Sequence, residues 1–144
     1  MMAKAIDVAD YILERNGTMS AMKLQKLVYY AQAWHLVWED KELFSEEIQA
    51  WANGPVVPCL YTIHQGTFSL EPGFFKGDTT SISDESKDVI ERVLTFYGDK
   101  DAQWLSDLTH MEDPWKKARV GLTDGERGAR TISSASMSEY YSSL

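Results

Sequence analysis

The clearest pattern along the chain is an apolar stripe between residues 24 and 38. Its members recur at steps of three and four, the spacing that places side chains on one face of an α-helix. They are Leu24, Leu27, Val28, Ala31, Trp34 and Trp38. Thr18 or Ser20 can cap this helix, and the polar pair Asp40-Lys41 follows its last residues. The pattern predicts a long core helix that ends at about residue 39.

Three aromatic side chains of this helix, Tyr29, Tyr30 and His35, lie beside or off the stripe. Amphipathic rings in such positions reach the rim of a packed face, where protein partners are often met. We therefore expect Tyr30 and His35 to be exposed, and Trp34 to lie in the core.

Shorter helices are predicted on both sides of the long one, over about residues 3–15, 83–98, 101–111, 114–118 and 136–141. Asn16-Gly17 ends the first, because both residues accept the left-handed conformation of a helix stop. Ser83 caps the second, and Pro114 separates the third from the fourth. Trp104 is expected on the inward face of the helix over 101–111.

Alternation of apolar and polar residues predicts one short strand over about residues 46–51, with Thr131-Ile132 as a second. Asn53-Gly54-Pro55 has the composition of a turn, and Pro55 suits the first position of a helix ending near Gln65. Residues 66–77 and 121–130 are predicted loops. The fold class is thus mainly α with a minor β element (α+β). We expect a single compact helical domain over residues 1–144, with a small two-stranded piece.

Composition and net charge limit the classes of partner that the chain is expected to bind. The hydrophobic content of 44% and charged content of 25% are those of a globular protein, and the formal net charge is −8. Such a charge makes nucleic acid an unlikely partner and favours a basic protein. One cysteine, Cys59, excludes an internal disulfide, which fits a reducing cytoplasm. No apolar segment approaches the ~20 residues that span a bilayer, so no membrane partner is expected.

Candidate chemistry is sparse, and no cofactor or metal is predicted. His35, His64 and His110 fall on different predicted elements without ligand spacing. His110 is expected to meet carbonyls at a helix end, with Glu112 and Asp113 capping the turn at Pro114. No phosphate-binding glycine loop or nucleophile elbow is present.

A helix-turn-helix regulator is a further alternative, because the first two predicted helices are joined at 16–18 in that outline. A recognition helix presents Arg, Lys, Asn or Gln to base edges. Here Lys23, Gln25, Lys26 and Gln32 share the helix with bulky Tyr and Trp side chains. The pattern does not favour this alternative.

Several motifs in order resemble the Panacea domain, the SocA-like antitoxin family of phage-associated proteins. They are LQKLVYYAQAW at 24–34, LF at 43–44, IQAW at 48–51, GPVVPCLY at 54–61, LTHMEDPW at 108–115 and the segment 137–141. The resemblance covers about residues 7–141. It implies a mainly helical, non-enzymatic antitoxin that neutralises a co-encoded protein toxin by direct binding. Delivery of the toxin to a cytosolic protease is a variant of this role. Cys59 departs from the acidic or polar residue common at that position.

Partner binding is predicted on the rims of the long helix and on the turn that follows it. The candidate residues are Lys26, Tyr29, Tyr30, His35, Gly54, Pro55, Val56 and Tyr61. Tyr61 is expected to be exposed and Trp51 to be buried. The alternative function is a phage-derived metal- or Cys-dependent hydrolase using His110, Glu112 and Cys59.

Overall fold

The computed structural model describes residues 2–144; Met1 lies outside them. In chain order the elements are α1 (Ala5–Asn16), β1 (Met19–Ser20), α2 (Ala21–Glu39), β2 (Gln49–Trp51), β3 (Gly54–Val56), α3 (Pro58–His64), β4 (Ser69–Leu70), a 3₁₀ turn (Thr79–Ser81), α4 (Asp84–Tyr97), α5 (Ala102–Met111), α6 (Asp113–Ala118) and α7 (Ser134–Ser142). The fold is α-dominated α+β, as predicted.

Helix α2 is the centre of the fold, packed against α1, α4, α5 and α7. Ser20 caps it by accepting a hydrogen bond from the Lys23 amide at 3.2 Å, and Asp40 ends it with a left-handed φ of 56°. Its buried set includes the polar residues Gln25, Lys26, Gln32 and His35, together with Leu24, Leu27, Val28 and Ala31 of the apolar stripe. A helix buried on nearly every side leaves little room for an exposed rim.

Carboxylates of α1 hold the loop that was predicted between residues 66 and 77. The two Asp10 oxygens accept from the amides of Phe75 at 3.0 Å and Gly77 at 2.7 Å, and Asp7 accepts from the Asp78 amide at 2.7 Å. These bonds satisfy backbone donors that a loop cannot pair within itself. The loop is thereby fixed against the first helix.

Two small antiparallel sheets complete the fold. Strands β2 and β3 form a hairpin in which Trp51 faces Gly54, whereas Thr131 contributes only an isolated bridge to Gln49. The two predicted strand segments thus meet through this bridge, but the ladder partner of β2 is β3, which was expected to be a turn and the start of a helix. The helix expected from Pro55 begins at Pro58, because Gly54–Val56 pairs as a strand. The β1–β4 pair was not predicted, since two-residue strands show no periodicity.

The predicted helices are present with ends shifted by a few residues, but two tryptophans are misplaced by the prediction. Trp38 is 38% exposed and Trp104 is 43% exposed. Each ring is covered by a cation instead of the core: the Arg92 guanidinium lies 4.5 Å from the Trp38 ring centroid and the Lys100 ammonium 5.1 Å from that of Trp104. Periodicity cannot distinguish such rings from buried ones.

Candidate functional site

Two consecutive polar side chains of α2 fasten this helix to the β3–α3 segment. The Gln25 amide oxygen accepts from the Val57 amide at 2.8 Å, and its nitrogen donates to the Val57 carbonyl at 3.3 Å. Beside it, Lys26 Nζ donates to the Pro55 carbonyl at 3.1 Å. Gln25 thus pairs with the Val57 backbone as a neighbouring strand would, and it fixes the position of the segment.

Gly54 is required where the hairpin passes over Lys26. Its φ is +121°, a conformation that side chains with a Cβ rarely adopt, and an added Cβ would lie 2.6 Å from Lys26 Cε. The sequence prediction that this glycine makes a turn was therefore incomplete. Close approach of the backbone to the lysine stem also demands it.

The side chain of Lys26 is buried more deeply than is usual for a lysine. It is 1% exposed, and burial lowers its pKa from 10.5 to about 7. An ammonium has three donors, whereas within residues 2–144 its hydrogen-bond acceptor is the Pro55 carbonyl. Its side chain also lines the space beside the helix. Burial, and to a smaller extent the charge on Lys26, also lowers the pKa of nearby His64.

That space is an open groove of about 830 Å³, which we call the Lys26 groove. Four segments line it: the start of α2, the β2–β3 hairpin, α3 with the loop after it, and residues 127–129. The lining residues are Ala21, Met22, Gln25, Lys26, Trp51, Ala52, Asn53, Val56, Tyr61, His64, Gln65, Gly66, Thr67, Phe68, Arg127, Gly128 and Ala129. Phe68 is 81% exposed at its edge. None of these residues is acidic, although the chain holds 22 Asp and Glu residues.

The structure divides the predicted partner-binding residues into two sets. Lys26, Val56 and Tyr61 line the groove, and Gly54 and Pro55 form the hairpin above the lysine. Tyr61 is exposed, as expected.

Tyr29, Tyr30 and His35 lie elsewhere. The expected exposure of Tyr30 and His35 was wrong: Tyr30 is completely buried and His35 is 1% exposed. The reason is that α4 and α7 cover the faces of α2 that an amphipathic pattern would leave open. Trp34 and Trp51, expected in the core, are half-buried.

Tyr29 and Tyr30 belong to a buried hydrogen-bonded chain of hydroxyls. Tyr30 and Tyr141 each place a hydroxyl 2.7 Å from Glu112 Oε1, and the Tyr29 hydroxyl lies 2.9 Å from that of Tyr141. A carboxylate only accepts, so Tyr30 and Tyr141 both donate to Glu112. The Tyr141 hydroxyl donates its single proton to Glu112, so the Tyr29 hydroxyl donates to the Tyr141 oxygen. The chain joins α2, α7 and the junction of α5 with α6.

Glu112 was expected to cap the turn at Pro114, and that prediction was wrong. Its side chain makes no cap hydrogen bond and is buried among the tyrosines. Burial raises the pKa of this carboxyl, while the two tyrosine donors partly offset the rise. The residue therefore acts in the core and not at the surface.

Replacing Glu112 by Gln tests this burial. An acid whose folded-state pKa is raised binds more protons when folded, so the wild-type free energy of unfolding should fall as pH rises above about 4.5. We expect Glu112→Gln to remove that fall. Urea unfolding at a series of pH values measures it, with Glu139→Gln on the exposed side of α7 as the control. An identical pH dependence in wild type and Glu112→Gln would contradict the assignment.

His35 joins the end of α2 to the start of α4. Its Nδ1 lies 2.7 Å from the Lys41 carbonyl and its Nε2 2.8 Å from the Ser86 hydroxyl. Burial lowers the pKa of this imidazole. With both ring nitrogens engaged inside the protein, His35 has a structural role.

The residues of the hydrolase alternative do not converge. His110 faces two carbonyls, those of Ser106 at 2.6 Å and Ala52 at 3.0 Å, as expected for a residue near a helix end. Burial raises the pKa of the Cys59 thiol, the opposite of what a nucleophile needs. Within residues 2–144 no group of three His, Cys, Asp or Glu side chains is arranged to hold a metal ion.

Several groove residues were missed by sequence reasoning. Met22, Phe68 and Arg127 come from a helix start and two loops, where no periodic pattern marks the exposed side. The available signal was Phe68 in a polar, glycine-containing stretch, since an aromatic ring in such a loop often contacts a partner.

The fold and the groove describe a mainly helical α+β protein built around one buried helix, with an apolar, cation-floored groove at its side. The family model described as "Antitoxin SocA-like, Panacea domain" matches residues 24–116. The chain belongs to this family. No curated protein and no solved structure gives a significant match. Among the described residues, no helix is long and apolar enough to cross a membrane.

Proposed function

We propose that the protein is an antitoxin that neutralises a protein toxin by direct contact at the Lys26 groove. Membership of the SocA-like antitoxin family is the observation that carries the antitoxin role. The groove supports the placement, since it has a volume of about 830 Å³ and five of the predicted binding residues lie on or beside it.

The edge of the groove has the composition of a binding surface. Phe68, Tyr61 and Met22 are 81%, 39% and 39% exposed, and they stand around a half-buried Trp51. Aromatic side chains and methionine are enriched where proteins meet, and a few such anchors supply most of the binding free energy. The rigid Gln25–Val57 pairing beneath them lowers the entropy lost on docking.

The net charge of −8 adds a long-range contribution. It favours encounter with a toxin that is basic over most of its surface, and it raises the association rate at low salt. Direct contact is compatible either with sequestration or with subsequent delivery to a cytosolic protease. Inhibition of the toxin by the purified antitoxin, with no protease present, separates the first from the second.

A growth-rescue experiment tests both the role and the site. Small open reading frames next to this gene are induced alone and together with it; toxicity alone and rescue in the pair identify the toxin. The double variant Phe68→Ala with Tyr61→Ala should then lose rescue. Binding to the purified toxin should weaken about 30- to 100-fold, the effect of removing two aromatic anchors.

Phe96→Ala is the matched control, because Phe96 is 63% exposed on a separate apolar patch with Trp38 and Leu144. It should retain rescue and binding. Loss of rescue in Phe96→Ala but not in the double variant would move the toxin site to that second patch. Absence of a toxic neighbour would count against the antitoxin role itself.

A further inference from the structure

Lys26, at the floor of the Lys26 groove, is an ionisable side chain to which the groove offers no counter-charge. Lys26 is 1% exposed, makes one hydrogen bond to a carbonyl, and has no carboxylate among the residues lining the groove. A buried ammonium without a counter-charge is costly, because both its solvation and its remaining donors go unsatisfied. A ligand that brought a carboxylate to this position would remove that cost.

Neighbouring polar groups are already engaged. The Gln25 amide oxygen is used by the Val57 amide, and its nitrogen is shared between the Val57 carbonyl and His64 Nε2 at 3.0 Å. Between Gln25 and Lys26, the side chain with donors still unpaired is therefore that of Lys26. The walls around them are apolar, with Met22, Trp51 and Phe68 among them.

We propose that the Lys26 groove binds a partner segment in which an Asp or Glu side chain pairs with the Lys26 ammonium while flanking apolar residues contact the aromatic walls. This inference rests on the proposed function in taking the toxin as the source of that segment. The groove is open to solvent, and its volume of about 830 Å³ accommodates a few residues. A segment of that size can place one acidic side chain toward Lys26 and its apolar neighbours against Met22, Trp51 and Phe68.

The charges of the molecule make this local preference distinctive. A surface with a net charge of −8 repels acidic peptides in general, yet the groove lining contains Lys26 and Arg127 and no Asp or Glu. An acidic segment bound there is held by a short-range, desolvated ion pair, which salt screens weakly. A toxin that is basic over most of its surface is attracted at long range by the net charge of −8. One acidic, apolar segment of that toxin can then pair with Lys26 at short range.

The test uses three capped peptides as probes, at pH 6, where the Lys26 ammonium is charged. Acetyl-Leu-Glu-Phe-amide should bind about 10-fold more tightly than acetyl-Leu-Gln-Phe-amide, the difference expected for one charge-assisted hydrogen bond. Acetyl-Leu-Gln-Phe with a free carboxyl terminus distinguishes a chain end from an acidic side chain. Peptide titrations followed by nuclear magnetic resonance give the three dissociation constants. Equal affinity for the Glu and Gln peptides, including no binding by either, overturns the proposal, as does tighter binding of the free-terminus peptide.

Substitutions locate the cation. Lys26→Met should abolish the preference for the Glu peptide, and Lys117→Met, the same change at an exposed lysine of α6, should retain it. If Arg127→Gln lost the preference for the Glu peptide and Lys26→Met kept it, the carboxylate would bind Arg127 and not Lys26, and the proposal would be overturned. In the wild type, saturating Glu peptide should raise the Lys26 titration midpoint, followed through its ¹³Cε signal, by about one pH unit, which corresponds to the 10-fold preference.

These peptide measurements need no toxin, so the two proposals can fail separately. A Glu preference without any toxin rescued by the gene would leave the carboxylate site standing and remove the antitoxin role. Rescue with no Glu preference would leave the antitoxin role and remove the carboxylate site.

Discussion

Lys26→Met should make the protein more stable at pH 6 and should remove a rise of stability with pH. Burial lowers the Lys26 pKa from 10.5 to about 7, so between these values the unfolded chain binds more protons than the folded one. The wild-type free energy of unfolding therefore increases with pH in that window, by about 2–3 kcal/mol from pH 7 to pH 9. Methionine has a similar length and no charge, so the stability of Lys26→Met should not rise with pH in this way.

Urea unfolding of wild type and Lys26→Met at pH 6, 7, 8 and 9 measures the effect. At pH 6 the variant should be more stable by roughly 1–4 kcal/mol, the range seen when buried ion pairs are replaced by well-packed apolar residues. The lost hydrogen bond to the Pro55 carbonyl reduces this gain by about 1 kcal/mol. Lys117→Met, which is exposed, should show neither change. A stability difference that stays constant from pH 6 to pH 9 would contradict the burial of a charged Lys26.

Gly54→Ala should destabilise the protein by about 3 kcal/mol or more. Two costs add: the φ of +121° is strained for any residue with a Cβ, and the new methyl would lie 2.6 Å from Lys26 Cε. Because the lysine stem is itself buried, it has little freedom to withdraw. Thermal and urea unfolding give the loss directly.

Gly66→Ala is the matched control for this substitution. Its φ of +87° is also left-handed, but no atom lies within 4 Å of the added Cβ, so only the backbone cost of about 1 kcal/mol applies. The difference between the two variants isolates the contact with Lys26. Equal losses in the two variants would show that the hairpin relaxes away from the lysine without cost.

The helices of this protein were predictable because each carries local signals. Ser20, Ser83 and Asp101 cap α2, α4 and α5 through side chains that accept from the helix backbone. Local sequence signals do not show how many other elements pack around a helix. Trp38 and Tyr30 belong to the same helix, yet one is exposed and the other is buried by packing with residues more than 60 positions away.

The candidate site was predictable only in part, for a similar reason. The segment Gly54–Tyr61 is conspicuous in the sequence through its glycine and prolines, and it does form one side of the groove. Lys26 was predicted on the rim of the long helix, whereas it lies at the buried floor of the groove, an uncommon position for a lysine. The opposite wall, near Arg127, comes from a loop about 100 residues further along the chain, and spacing along the sequence does not reveal such proximity.

The hydroxyl chain through Tyr141 has a consequence for how the protein is made. Helix α2 emerges early from the ribosome, but the Tyr29 hydroxyl pairs with Tyr141 of α7, 112 positions later, and the Tyr30 hydroxyl pairs with Glu112, 82 positions later. Until those last residues are released, the central helix has an uncovered face and Glu112 lacks one of its two donors. A nascent or prematurely terminated chain therefore has an incompletely packed core and is an easier substrate for quality-control proteases. Synthesis of α7, and not only of the segment that the family model matches, closes this core.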